Sequence, residues 1–216
     1  MRLVMHTDLS CPFCYLGESV IDDLRGRWSF ETLWVPFELH PEVPLQGVAL
    51  TEARQERAAP LWRQVLGLAA ALKVPFNPPS SFPNTRRALG AILAAQQTSE
   101  AAADALRRRI YRAMFVEGAD IGDPDVVVAL AAEVSPIGQP EVLKAVEAAA
   151  RDFALDARLL ELKNEGFDAL VMGVPVFRPF VDGQERADRR VVGAQPAEIF
   201  EKVFEDLGVA HLGGSP

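Results

Sequence analysis

A short strand-like run, Leu3-Val4-Met5, is followed by Cys11-Pro12-Phe13-Cys14 and then by the helix-forming stretch Tyr15 to Leu24. No other feature restricts the fold as much. A strand that hands over to a helix through two cysteines fixes the start of an α/β unit. The chain has only these two cysteines. A CxxC in that setting reads as a redox dithiol. A helix start carries unpaired N–H groups and the positive end of the helix dipole, and both favour a thiolate. Pro12 suits the first helical turn because it has no N–H to lose there. Cys11 is expected to be the more exposed sulfur, with Cys14 close enough to resolve a mixed disulfide formed on it. Zinc is a poor alternative. There is no second CxxC, and His6, His40 and His211 are scattered. A structural staple is also a poor one, since so small a ring restrains little chain.

The rest of the chain limits the class of partner. It has 22 Lys and Arg against 30 Asp and Glu, a net charge of −8, which favours neither nucleic acid nor an anionic membrane. Arg107-Arg108-Arg109 reads as a solvated helix face. No apolar targeting segment precedes the cysteines and no stretch is long enough to span a bilayer. The expected location is therefore the cytoplasm, where a dithiol cycles rather than staples. A monomer is favoured, with a dimer left open by the apolar helical faces.

After the first strand (Arg2 to Met5) and a helix from about Cys14 to Arg25, Phe30 to Leu39 reads as a second strand, with Pro36 at a bulge or its end. His40 to Gly47 is an irregular Pro-rich connection. Helical spacing then recurs from Thr51 to Leu72, from Asn84 or Thr85 to Leu93, from Ala101 to Phe115, from Val126 to Val134, from Glu141 to Phe153 and from Asp156 to Leu170. Phe76 to Pro83 reads as a loop. Residues 51–165 are too long for a simple crossover, so a helical domain is inserted in an α/β unit made of residues 1–50 and 166–210. Met172-Gly173-Val174-Pro175-Val176-Phe177 begins a further strand. Asp182-Gly183 marks a hairpin with Arg190-Val191-Val192 as its partner. A last helix covers about Ala197 to Leu207, and residues 211–216 form a flexible tail. Two acids are candidates for a proton relay: Asp8 in the loop before the dithiol, which with Ser10 could instead cap the helix, and Glu38 near the end of the second strand.

Several stretches recur together: Asp8 with Cys11-Pro12-Phe13-Cys14-Tyr15-Leu16-Gly17; Val35-Pro36-Phe37-Glu38-Leu39 with Pro41-Glu42; Phe82-Pro83-Asn84-Thr85 with Ala88; Phe115 with Gly118-Ala119-Asp120-Ile121; Gly173-Val174-Pro175-Val176-Phe177; and Gly193-Ala194-Gln195-Pro196. In this order the chain resembles the DsbA-like thioredoxin-fold family, in its FrnE and 2-hydroxychromene-2-carboxylate isomerase-like branch. The resemblance implies a thioredoxin-like fold with a large all-helical insertion, Cys11 as nucleophile, Cys14 as resolving thiol and a cis bond at Val174-Pro175. It assigns the substrate groove to Pro12, Phe13, Val174 and Pro175. No bound cofactor or metal is implied. The partners are protein thiols and disulfides or glutathione as co-substrate. Isomerase members commonly carry serine where Cys11 stands, so the intact pair favours a thiol–disulfide oxidoreductase. The alternative is a glutathione-dependent isomerase or transferase acting on aromatic or polyketide-like small molecules. Phe13 replaces the histidine of periplasmic oxidants, which implies a less oxidising couple. Arg178-Pro179 departs from the pattern and suggests a bulge or lengthened loop.

Overall fold

The computed structural model describes residues 1–134, 137–138 and 140–213. In chain order the elements are β1 (Arg2–Thr7), α1 (Pro12–Arg25), β2 (Glu31–Pro36), β3 (Val48–Ala49), α2 (Glu52–Leu72), β4 (Ser81–Phe82), α3 (Arg86–Thr98), α4 (Glu100–Arg112) with a π-helical extension over Ala113–Glu117, α5 (Pro124–Ala132), α6 (Pro140–Asp152), α7 (Asp156–Asp168), β5 (Val176–Val181), β6 (Gln184–Glu185), a 3₁₀ turn over Ala187–Arg189, β7 (Val191–Val192) and α8 (Ala197–Asp206).

The main sheet runs β2-β1-β5-β6, and β7 also pairs with β5. β1 lies parallel to β2, in register from Arg2 opposite Glu31 to Thr7 opposite Pro36. β5 is antiparallel to β1. This is a thioredoxin fold carrying a largely helical insertion. Alternation along β1 decides what covers each face. Leu3 and Met5 join Val20, Ile21 and Leu24 of α1, Phe177 of β5 and Phe200 and Phe204 of α8 in one apolar core. Each such buried side chain contributes about 1.5–3 kcal/mol. A second and larger core fills the helical block and reaches Leu9, Cys11, Cys14 and Trp34. The dithiol therefore sits where the two halves meet.

Several expectations need correction. The first helix begins at Pro12, with Cys11 at its N-cap and no side-chain cap. Asp8 and Ser10 do not cap it; Asp8 accepts from the Ser10 N–H instead. The second strand stops short of Leu39, at Pro36, so of the two roles expected of that proline it takes the strand end and not the bulge. The stretch 76–83 is not all loop, because Ser81–Phe82 pairs with Val48–Ala49. Asp182 and Gly183 do make a tight turn, both with positive φ, but it returns into Gln184–Glu185. Val191–Val192 pairs further back, with Val176–Phe177. Pro179 causes no bulge. It lies opposite Leu3 in the ladder, and its carbonyl accepts from Arg186 N–H, so its missing donor falls in the gap between β6 and β7. His211 forms a bridge with Trp28 and packs edge-on against its ring, and Leu212 N–H donates to Arg27 carbonyl at 2.7 Å. The start of the expected flexible tail is thus docked. Residues 214–216 lie outside the described residues.

Candidate functional site

Cys11 ends the loop that leaves β1. Its carbonyl accepts from Cys14 N–H at 3.0 Å and Tyr15 N–H at 3.3 Å, so the dithiol is wound into the first turn of α1. Pro12 follows at the first helical position, where it costs no hydrogen bond. Cys11 keeps 6% of its surface exposed and Cys14 none. Both are free thiols. The Cys11 Sγ donates to the Val174 carbonyl at 3.7 Å. Val174-Pro175 is a cis peptide bond. Phe13 and Val174 are half-buried and Pro12 and Pro175 buried. Gly17 allows this close approach: a Cβ there would lie 3.0 Å from Phe177 Cζ and 3.6 Å from Pro175 Cγ.

Cys14 faces inward. Burial pushes its thiol well up, and hydrogen bonding and charge from Cys11 and the charge of Asp8 add to this. Asp8 is fully buried. Its Oδ1 accepts from Ser10 N–H (2.7 Å) and Ser10 hydroxyl (2.8 Å), and its Oδ2 from Leu39 N–H (2.7 Å) and Thr85 hydroxyl (3.2 Å). Burial raises the Asp8 carboxyl, and these four donors oppose the rise. Asp8 thus pins the dithiol loop to the end of β2 and to the start of α3. Glu38 is held elsewhere. Arg86 grips it with two bonds, at 2.9 and 3.0 Å, so of the two candidate relay acids only Asp8 is brought to the sulfurs.

Sequence reasoning missed a charged cluster behind Cys14. Arg107, expected on a solvated face, is 1% exposed. Its Nε bonds Glu18, one turn after Cys14, and its Nη2 bonds Asp104 at 2.5 Å. Glu18 Oε1 accepts from Thr7 hydroxyl at 3.0 Å, and that hydroxyl accepts from Trp34 Nε1–H at 2.8 Å. Asp104 also binds Arg25, and Asp22 binds Arg108 at 3.1 Å. Burial works against charge on Arg107, but Glu18 and Asp104 outweigh it and hold the guanidinium protonated. Burial likewise works against the Asp104 carboxylate; Arg107 and Arg25 overcome it and bring its pKa down to about 2. A signal was present: Glu18 lies four residues from Cys14 and three from Ile21, and Arg107 four from Ala103 and three from Ile110, all on buried stripes.

The geometry suits two-step sulfur chemistry: one sulfur at a helix start beside a backbone carbonyl, and a second buried behind it. The DSBA-like thioredoxin domain family matches residues 2–205. A protein of Bacillus subtilis, YwbO, is 26% identical over 95% of this chain and 96% of its own length. The cytosolic disulfide reductase DsbM of Pseudomonas aeruginosa is similar in structure (TM-score 0.71, 19% identity, 96% of this chain and 99% of that one), and it has also been solved with glutathione. A 2-hydroxychromene-2-carboxylate isomerase is similar as well (TM-score 0.72, 18% identity, 96% of both chains). With its family match spanning both halves of the sheet and the helical block between them, this chain belongs to the DsbA-like thioredoxin domain family.

Proposed function

We propose that the chain is a thiol–disulfide oxidoreductase. The Cys11 thiolate attacks a substrate disulfide, a mixed disulfide forms, and Cys14 displaces the bound half while closing the Cys11–Cys14 bond. Run backwards, the oxidised pair accepts electrons from a substrate dithiol. The observation that carries the reading is the unequal burial of two free sulfurs at the start of α1, the outer one on the Val174 carbonyl. Phe13, Val174 and Pro175, with Pro12 behind them, form the groove wall. Asp8 sets the charge around Cys14. Protein disulfides or glutathione are the substrates, and the cytoplasm is the setting, as it is for DsbM by description. No helix among the described residues is long and apolar enough to cross a membrane.

The test is capture. A Cys14→Ser variant should accumulate a mixed disulfide on Cys11 that mass spectrometry identifies as a protein client or glutathione. Cys11→Ser should capture nothing and lose all disulfide exchange. Retained activity in Cys11→Ser on an aromatic small molecule with glutathione would favour the isomerase reading, which the fold shared with the 2-hydroxychromene-2-carboxylate isomerase supports.

A further inference from the structure

The chemistry at the dithiol gives no task to Arg178, Glu185 or Arg190. Yet these three charges are drawn together out of solvent, with 14%, 18% and 21% of their side chains exposed. Arg178 of β5 grips Glu185 of β6 through Nε at 3.0 Å and Nη2 at 2.5 Å. Its Nη1 donates to Nε2 of His6 in β1 at 3.1 Å, because a guanidinium has only donors to offer. Arg190, just before β7, donates from Nε to the same Glu185 carboxylate. Hydrogen bonds from Arg178 and then Arg190 outweigh burial and bring the Glu185 pKa down to about 2. Three strands of the sheet thus seat the Arg190 guanidinium in one place.

The remaining arm of that guanidinium reaches the segment between α7 and β5. Arg190 Nη1 donates to the Ala169 carbonyl at 2.9 Å. Five residues further on, the Val174 carbonyl accepts from the Cys11 thiol at 3.7 Å. Between the two, Leu170 takes a left-handed backbone conformation, and Leu170 and Met172 are exposed while Val171 packs with Phe37 and Val176. At the far end, Gly193 N–H donates to the Pro175 carbonyl at 2.9 Å. Gly193 follows Arg190 by three residues, through β7. Arg190 therefore fastens the segment at both ends: its side chain at Ala169, its own strand at Pro175.

Resting on the oxidoreductase reading, we infer that Arg190, seated on Glu185, is a positioning residue that clamps residues 169–175 and keeps the Val174 carbonyl on the Cys11 sulfur. Its partners are Glu185 and Ala169, so it acts on Cys11 through the segment. The clamp biases the redox equilibrium of the pair. In the protonated dithiol, Cys11 has an S–H to donate and the carbonyl accepts it. In the disulfide that sulfur has no proton, and the hydrogen bond is gone. A carbonyl held in place therefore favours the dithiol. Against glutathione disulfide, the dithiol gives two electrons to the glutathione S–S bond, which breaks as the Cys11–Cys14 bond forms. The two thiol protons pass to the two glutathione thiols released. Opening the clamp shifts this balance toward the protein disulfide. The shift is full while Cys11 keeps its proton and fades as rising pH removes it. The titratable groups that face Cys11 are Cys14 of α1, Asp8 of the preceding loop and Tyr111 of α4.

The experiment equilibrates wild type and Arg190→Met with mixtures of glutathione and glutathione disulfide from about pH 6 to about pH 9. The dithiol fraction is read by acid quenching, alkylation and mass spectrometry. At the acid end, Arg190→Met should shift the equilibrium constant about threefold toward the protein disulfide, the worth of one weak hydrogen bond. The difference from wild type should shrink toward the alkaline end. A merely structural arginine would destabilise both redox forms alike and leave the equilibrium constant where it was. A folded Arg190→Met with the wild-type constant at every pH, or one shifted toward the dithiol at the acid end, would overturn the clamp. Should Arg190→Met fail to fold, Arg190→Lys decides: one ammonium cannot replace the fork between Glu185 and Ala169, so the same shift, though smaller, is expected, and a wild-type constant would overturn the clamp. A wild-type protein whose cysteines never exchange with glutathione or a disulfide-bonded protein would instead refute the oxidoreductase reading itself.

Discussion

Arg107→Met is the most informative perturbation of the charged cluster. The methionine fills much of the same space but leaves Glu18 buried, at 4% exposure, with only the Thr7 hydroxyl as partner. Asp104 keeps Arg25 and Arg108, so the loss falls on Glu18. Breaking one side of a buried ion pair costs about 3–5 kcal/mol, a large share of the roughly 5–15 kcal/mol that holds a domain together. Adding Glu18→Gln removes the stranded charge while its amide oxygen still accepts from Thr7, so the double variant should recover more than half of the deficit. The cost should depend on pH. In Arg107→Met the folded protein holds the Glu18 carboxyl with a raised pKa, whereas the unfolded chain titrates near about 4.3. The folded state then binds the extra proton, so the deficit is full at neutral pH and shrinks as pH falls through the raised value. Urea titrations of wild type and the two variants, repeated from pH 7 to pH 5, measure all of this. A cost below about 1 kcal/mol for Arg107→Met, or a deficit that ignores pH, would refute the reasoning.

Gly17→Ala places a methyl 3.0 Å from Phe177 Cζ, and overpacking of this kind should cost about 1–3 kcal/mol; a thermal melt identical to wild type would contradict the tight contact between α1 and β5. Asp104, held at about 2 in the folded protein against 3.8, should contribute about 2 kcal/mol above pH 4 that is lost as pH falls through about 2. Asp104→Asn should therefore lower the urea midpoint at pH 7 and flatten its decline in acid, and an unchanged acid limb would count against the cluster. Removing residues 211–216 takes away the His211 ring and the Leu212 bond that cover Trp28, so tryptophan emission should shift to the red. Unchanged emission would mean that this docking does not persist in solution.

The outline of the fold was legible because its signals are long or chemically distinctive. The cysteine pair marked the turn from β1 into α1. Helical spacing marked the block from α2 to α7, and the motif around Pro175 marked the strand that returns to the sheet. What stayed hidden was of two kinds. β3, β4, β6 and β7 have two residues each, too few to display alternation, so their partners follow only from the assembled sheet. The Glu18–Arg107 pair was hidden because charged side chains are expected in solvent. Only their places on the stripes Cys14–Glu18–Ile21 and Ala103–Arg107–Ile110 betray them. Asp8 and Glu38 looked alike as candidate relay acids, yet partners distant in sequence, Thr85 for one and Arg86 for the other, give them different work.

Pro179 and its surroundings affect how the protein behaves in a crowded solution. Along one margin of the sheet, β5 is screened at both ends by two-residue strands, and the interval between them presents a proline, which cannot donate to a newcomer. Along the other margin the Trp34 carbonyl of β2 is taken by the Gln96 amide at 3.1 Å. Neither border offers an unbroken ladder to a stray polypeptide. These blunted borders keep the protein from being recruited into aggregates of unfolded chains.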